Sequence, residues 1–365
     1  MLVNSLGAFT LPFLAYFLAR DLHLRPTAIG GILAGFGAGS LTAALTAGSF
    51  ADRLGRRCVL LSAQLATAAV TAAFAFVRGP AAFAVLVVVF GIAINIPNPV
   101  LRALVADVVE APQRARAYAT AGWATALGAA AAPILGGLLA THSGFATLFL
   151  VDAATTAAYA LITFTRVAET APAHVPMGAV AFRDRALVTV VALNVCFAIV
   201  YFQGQATLPI VLARHGLRAS VYGAVLASGT IVTLALQIPL ASLLQRAPQR
   251  AVIAGGSAVT GIGLGLTAFA GSAAQYAATV VVWSLGALAV TPFTSALVSE
   301  LAPDEARGRY QSALQLSWSG SRLIAPPIGT ATLQHAGESA LWGGCVVLGV
   351  AAGAGHLAAW RRARG

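Results

Sequence analysis

Long apolar runs broken by short polar gaps are the dominant pattern of this 365-residue chain. Twelve such runs cover about residues 1–19, 27–50, 58–77, 81–106, 117–140, 144–165, 186–212, 219–244, 251–270, 275–300, 309–334 and 339–360. Each approaches the roughly 20 residues that a helix needs to cross a hydrocarbon layer about 30 Å thick. A membrane barrel would show ten-residue stretches of alternating polarity instead, and lipid offers no partner to an unpaired backbone group. The pattern therefore predicts an all-α membrane protein with twelve transmembrane helices.

Composition agrees: 59% of residues are hydrophobic and 9% charged, too little polar surface to cover a water-soluble globule of this length. The net charge of +11 follows alternate gaps rather than one patch, which argues against nucleic acid as a partner. Fifteen arginines lie in the gaps after even-numbered runs and at the C-terminus: Arg53, Arg56, Arg57, Arg114, Arg116, Arg166, Arg183, Arg185, Arg246, Arg250, Arg307, Arg309, Arg361, Arg362 and Arg364. Five occupy the opposite gaps: Arg20, Arg25, Arg78, Arg214 and Arg218. The positive-inside bias then puts both termini in the cytoplasm, with the chain in the cell (inner) membrane. Cys58, Cys196 and Cys345 have no metal-like spacing and define no disulfide framework. Met1 to Ala19 lacks a basic leader and precedes eleven further runs, so it reads as span 1 rather than a signal peptide.

The chain contains a repeat. An offset of 193 aligns Pro99–Gly137 with Pro292–Thr330 without a gap, pairing Arg114 with Arg307, Arg116 with Arg309, Pro133 with Pro326 and Gly136 with Gly329. The same offset pairs Leu24, Arg25, Gly30, Leu33 and Ala34 with Leu217, Arg218, Gly223, Leu226 and Ala227. Two parallel copies of a six-helix unit are predicted, at 1–165 and 186–365, joined by a polar linker over 166–185 that holds Pro172 and Pro176. Met1 aligns with Asn194 although span 7 begins near Ala186, so span 1 is expected to lack its first turns, with a natural start upstream.

The gap between spans 2 and 3 reads Gly48-Ser-Phe-Ala-Asp52-Arg53-Leu-Gly55-Arg56-Arg57. This G-x-x-x-D-R-x-G-R-R pattern resembles the signature of the major facilitator superfamily, and all six specified positions match. The bland alternative is a basic turn at the membrane edge. The resemblance covers essentially the whole chain and implies two pseudo-symmetric six-helix bundles, probed alternately from either side by a small-molecule substrate, in a protein expected to be monomeric and without a bound cofactor. It further implies that Gly48, Asp52, Arg53, Gly55, Arg56 and Arg57 latch the two halves on the cytoplasmic side, with Asp107 or Glu110 at the end of span 4 as an arginine partner. The second copy keeps Arg246 and Arg250 but has Gln245 for Asp52 and Pro248 for Gly55, so the latch is expected to be asymmetric.

Span 5 carries Gly128-Ala-Ala-Ala-Ala132-Pro133-Ile-Leu-Gly136-Gly137, similar to the G-x-x-x-G-P-x-x-G-G stretch of the drug and proton antiporter branch, with Ala132 replacing one glycine. Small residues let helices approach and Pro133 fixes a bend, which ordinary helix packing also uses. The arginine that this branch places before a glycine in span 4 is absent: the residues from Val87 to Gly91 are apolar.

Two charges fall well inside predicted spans, Asp152 and Arg322, and charges there are costly and commonly functional. Asp152 is the carboxylate that could change charge within the membrane, a candidate for coupling to a proton gradient, or else a hydrogen-bonded residue near a span end. Arg322 could serve the solute, or pair with helix-end carbonyls. In the resembled fold spans 1, 4, 7 and 10 line the cavity, which here nominates Asn4, Thr10, Tyr16, Asn95, Asn98, Asn194, Gln203, Gln205, Trp283, Thr291 and Thr294. Such an uncharged lining suits a neutral or amphipathic solute, although amides equally serve packing between helices. Gly353-Ala-Gly355-His-Leu-Ala358 fits a dinucleotide pattern but lies inside span 12, no phosphate-binding loop of the Walker type occurs, and the histidines lack ligand spacing. The expected function is proton-coupled efflux, with import or facilitated movement of a small metabolite (sugar, amino acid or organic acid) as the alternative and a transporter-like sensor as a third class.

The charge asymmetry makes a direct prediction. With Cys58, Cys196 and Cys345 replaced, single cysteines at Arg57→Cys, Arg183→Cys and Arg309→Cys should resist an impermeant thiol reagent in intact cells and react after permeabilisation. Labelling of all three from outside would invert the topology.

Overall fold

The computed structural model describes residues 2–97, 100–101, 104, 111–167, 184–303 and 306–362. Among these the chain is helical apart from short connections, with no strand. The first-half helices are α1 (Leu2–Leu6), α2 (Thr10–Arg20), α3 (Pro26–Leu54), α4 (Arg56–Phe74), α5 (Pro80–Asn95), α6 (Ala111–His142) and α7 (Gly144–Arg166). The second-half helices are α8 (Arg185–Ala206), α9 (Leu208–Arg214), α10 (Ala219–Leu244), α11 (Gln249–Gly265, continued as 3-10 helix to Phe269), α12 (Ala273–Leu301), α13 (Arg307–His335) and α14 (Gly337–Arg362). Most of the linker, 168–183, lies outside the described residues.

Nine helical segments among the described residues are long and apolar enough to cross a membrane. They come from α3, α4, α6, α7, α8 with α9, α10, α11, α12 and α14. The described parts of the remaining apolar runs are almost wholly helical too. Span 1 is interrupted between Leu6 and Thr10, and α5 is a shorter apolar helix. The helix α13 carries Gln311, Ser317, Ser319, Ser321 and Arg322, polar groups that it turns toward neighbouring helices and an internal cavity, besides the exposed Arg309.

The connections explain how so much helix fits into so little loop. Gly55 alone joins α3 to α4, with φ +85° and ψ +146°, a backbone region open essentially to glycine. Pro26 and Pro80 stand at helix starts, where a missing N–H costs nothing. The repeat appears in the backbone as well: His23 and Gly216 both have positive φ, as do Gly144 and Gly337, and both pairs are 193 residues apart.

The helix contacts repeat in the same way. In the first half α3 packs on α5, α4 on α7 and α1 on α6; in the second, α10 packs on α12, α11 on α14 and α8 on α13. The halves meet along two seams, α3 against α13 and α6 against α10, which the offset exchanges. Along the first seam a methyl at Gly30 would strike the Thr330 hydroxyl and press on the Pro326 carbonyl, and one at Gly37 would strike the Leu323 backbone. Along the second, a methyl at Gly223 would strike the Pro133 carbonyl, and Gly137 abuts Ala219 and Ser220. Gly30 with Pro326 and Gly223 with Pro133 are thus equivalent contacts. At their ends, the Thr27 N–H donates to Gln334 Oε1 at 3.1 Å and the Ser220 N–H to Thr141 Oγ1 at 2.9 Å. These are again equivalent positions, each capping one orphan donor of a helix N-terminus from the opposite half.

A reciprocal tyrosine pair completes this end. Tyr16 Oη donates to the Leu217 carbonyl at 2.5 Å, Tyr222 Oη donates to the Pro12 carbonyl at 2.8 Å, and the two rings stack at 5.3 Å. The buried core here is continuous across both halves, running from Phe13, Phe17 and Phe149 to Tyr222, Tyr276 and Trp342. At the opposite end it splits into one cluster around Val59, Leu60 and Val100 and another around Val252, Val290 and Leu314. The molecule is closed at the end bearing the Asp21–Arg25 and His215–Arg218 turns, whereas at the end bearing Gly55 the buried clusters of the two halves are separate among the described residues.

Candidate functional site

A small cavity of about 40 Å³ lies between the halves, room for a few waters. The first half contributes Leu11, Leu33 and Phe36; the second contributes Phe202, Gln205, Ala206, Arg322 and Pro326. Arg322 sits one turn before Pro326 and Pro327, which cannot donate to the carbonyls of Arg322 and Leu323, so the helix is weakened where the charge enters the interior. Its guanidinium lies 5.2 Å from the Phe202 ring centre and 5.9 Å from that of Phe36, within range of cation–π attraction. Arg322 Nη1 approaches Asn95 Oδ1 at 3.5 Å, the limit of a hydrogen bond. Asn95 is itself held by donating Nδ2–H to the Gly91 carbonyl at 2.8 Å.

Of the nominated cavity residues the structure thus brings Asn95, Gln205 and Arg322 together. The other nominated residues that the structure describes do not line this cavity. Asn194 donates to Ser317 Oγ at 2.7 Å and Gln203 to the Ala325 carbonyl at 3.0 Å, so both tie α8 to α13. Asn4 accepts from Thr156 Oγ1 at 3.1 Å, facing α7. Tyr16 belongs to the closed end. Trp283 is buried edge-on to Tyr201 at 5.6 Å, its indole N–H without a partner among the described residues. Thr291 bonds the Ala287 carbonyl of its own helix, and Thr294 is buried. Asn98 lies outside the described residues.

Asp152 is buried on α7 away from that cavity's walls and faces the interruption in span 1. Its Oδ2 accepts the Thr10 N–H at 2.8 Å and the Thr10 hydroxyl at 2.5 Å. Phe9, the residue before α2, has no acceptor with which to cap it, so a carboxylate from another helix takes that role, where a negative charge also suits the helix dipole. Gly7 fits this junction because a methyl there would strike the Thr155 side chain.

In the Gly48–Arg57 segment, Arg57 Nη2 donates to the Phe164 carbonyl at 2.6 Å and its guanidinium lies 5.2 Å from the Phe164 ring centre. That arginine therefore ties α4 to the end of α7 within the first half. Arg56 and Gly55 are buried, whereas Gly48 and Arg53 are exposed. The Asp52 side chain, Asp107 and Glu110 lie outside what the structure describes. In α6, Gly128 abuts Ser5 of α1 and Gly136 abuts Phe9 and Phe13, while Pro133 and Gly137 face α10. The glycine-proline stretch therefore packs span 5 on span 1 by one face and forms a seam with the other.

A larger cavity, about 510 Å³, opens at the closed end beside Tyr16, Arg20, Asp21, His142 and Arg218. Its lining includes Tyr16, Thr141 and Ala219, so it borders the contacts that close that end. Burial pushes the Asp21 carboxyl above its ordinary range, against the lowering effect of Arg78, Arg20 and His23.

The profile of the Major Facilitator Superfamily matches residues 1–218 and again 193–364. The chain belongs to that superfamily. YhjO of Bacillus subtilis (strain 168), an uncharacterized MFS-type transporter, is 27% identical over 358 residues, covering 94% of this chain and 86% of its own. A gallate transporter of Pseudomonas putida is 30% identical over 150 residues, 41% of this chain and 33% of that protein. Among solved structures, a peptide transporter POT in complex with sulfate superposes with a TM-score of 0.81 at 15% identity, over 99% of this chain and 92% of the other. The chain is a multi-pass membrane transporter rather than an enzyme.

Sequence reasoning missed Phe36 and Phe202, which differ in no local way from the other phenylalanines of apolar spans. It also missed the interruption that gives Asp152 its partner, although Gly7 inside span 1 was a signal for it. Asp152→Ala should cost about 1–3 kcal/mol by leaving the Thr10 N–H unpaired, and Asp152→Asn less, since its amide oxygen still accepts. Thermal unfolding of the purified protein measures this; an Asp152→Ala variant that melts with the parent would contradict the capping role.

Proposed function

We propose that this chain moves a small solute across the cell membrane as a secondary transporter. Twelve spans in two halves, 1–165 and 186–365, rock about the paired seams, with the termini on the cytoplasmic side and the chain acting as a monomer. The observation that carries this reading is a cavity walled by both halves, holding a cation, and sealed at one end by equivalent contacts. Parting the seams there while closing the opposite end would present Arg322, Asn95 and Gln205 to the other side.

Export driven by a proton gradient is the leading direction, supported by the antiporter-like stretch Gly128–Gly137. Asp152 supplies the coupling group: protonation weakens a charge-assisted hold on the N-terminus of α2, and α2 provides Leu11 to the cavity wall. Asp52 and Arg56 stabilise one conformation at the cytoplasmic end. A second reading, uptake or facilitated movement of an organic acid, is favoured by the cationic cavity and by the partial similarity to the gallate transporter.

Inverted vesicles with a preset pH gradient and a pH-sensitive dye test this. Addition of a carried solute should collapse part of the gradient in vesicles holding the parent chain and not in empty ones. Asp152→Asn should abolish that response while leaving downhill exchange of the same solute measurable. Exchange with full proton movement in Asp152→Asn removes the coupling role; absence of any flux across neutral, cationic and anionic amphiphiles leaves a sensor.

A further inference from the structure

We infer that the solute is an organic monocarboxylate with a planar apolar body, its carboxylate seated on Arg322. This rests on the transport reading above and names the chemistry of its solute.

A guanidinium stays charged at any pH the protein meets, so it cannot relieve burial by losing its proton. Arg322 is half buried in the cavity, and its neighbours among the described residues are the Asn95 amide oxygen at 3.5 Å, the aromatic faces of Phe36 and Phe202, and the neutral phenol of Tyr201. None of these is an anion. The Glu338 carboxylate lies 3.3 Å from the His215 ring near the closed end, and the Asp152 carboxylate is committed to Thr10. The fork of N–H donors is therefore largely unspent, and its geometry matches the two oxygens of a carboxylate.

The rest of the cavity describes the body of the ligand. Phe36 and Leu33 come from one half, Phe202 from the other, so a flat apolar group placed between them touches both halves at once. Gln205 adds one neutral polar group that suits a hydroxyl or carbonyl substituent. A single fixed cation favours a monoanion over a phosphate dianion, whose second charge would have no partner. With about 40 Å³ free, the conformation seen admits waters, and the solute enters as the halves part further.

Thermal unfolding of the purified full-length protein with benzoate, 4-hydroxybenzoate and phenylacetate, each against its neutral amide, tests the assignment. At least one acid should raise the melting temperature while its amide does not. Arg322→Gln should weaken that protection by about ten-fold or more, and Arg322→Lys, which keeps the charge but loses the fork, should weaken it less. If Arg322→Gln does not yield folded protein, Phe202→Leu replaces it, with the same ranking of acid over amide and a weaker midpoint for the acid. Equal protection by acid and amide, an unchanged midpoint in Arg322→Gln, or no protection by any of the three acids overturns the assignment. Flux of neutral solutes without acid binding would overturn it and leave the transport reading standing, whereas acid binding without flux would do the reverse.

Discussion

Close approach of backbone to backbone at two glycines holds this molecule in the form observed. Gly30 meets the Pro326 carbonyl and the Thr330 side chain, and Gly223 meets the Pro133 carbonyl, each without room for a methyl of its own. In lipid, association gains little from the hydrophobic effect and depends instead on dispersion contacts and hydrogen bonds that small residues permit. The caps from Gln334 to Thr27 and from Thr141 to Ser220 add directional bonds at the end of each seam. The seams are related by the repeat, and the proposed rocking would open or close them as a pair.

The cavity inherits its properties from that arrangement. Pro326 takes part in the first seam through its carbonyl and weakens α13 beside Arg322 through its ring, so the helix that closes the end also positions the charge. The first half reaches the cation through Asn95 and Phe36 and the second through Phe202. On the proposed assignment, an anion bound there would change the electrostatic cost of bringing the halves together and so give the solute the differential affinity for two states that any driven conformational change requires.

Much of this architecture was legible in the sequence because lipid imposes helices and because duplication leaves a constant offset. The pairing of Pro133 with Pro326 and of Gly30 with Gly223, visible as identities 193 residues apart, became equivalent contacts in space. The site was less legible. Gln203 and Gln205 lie two residues apart and hence about 200° apart around a helix, so one ties α8 to α13 and the other faces the cavity. In a span apolar all round, composition cannot say which is which. Likewise Asp152 could be picked out as a buried charge, but its partner Thr10 is 142 residues away, and nothing in the sequence near Asp152 indicates a helix start in need of a cap.

The central claim is that the glycine seams set which end of the molecule is closed. Spin labels on His142→Cys and Arg218→Cys, exposed positions of the two halves beside the second seam, in a background without the native cysteines, report the separation across that seam. Adding Gly223→Val should move that distance distribution to longer values, since the new side chain meets the Pro133 carbonyl, while Gly31→Val, which points into open space, should leave it in place. A distribution in Gly223→Val that coincides with the parent's would contradict the account.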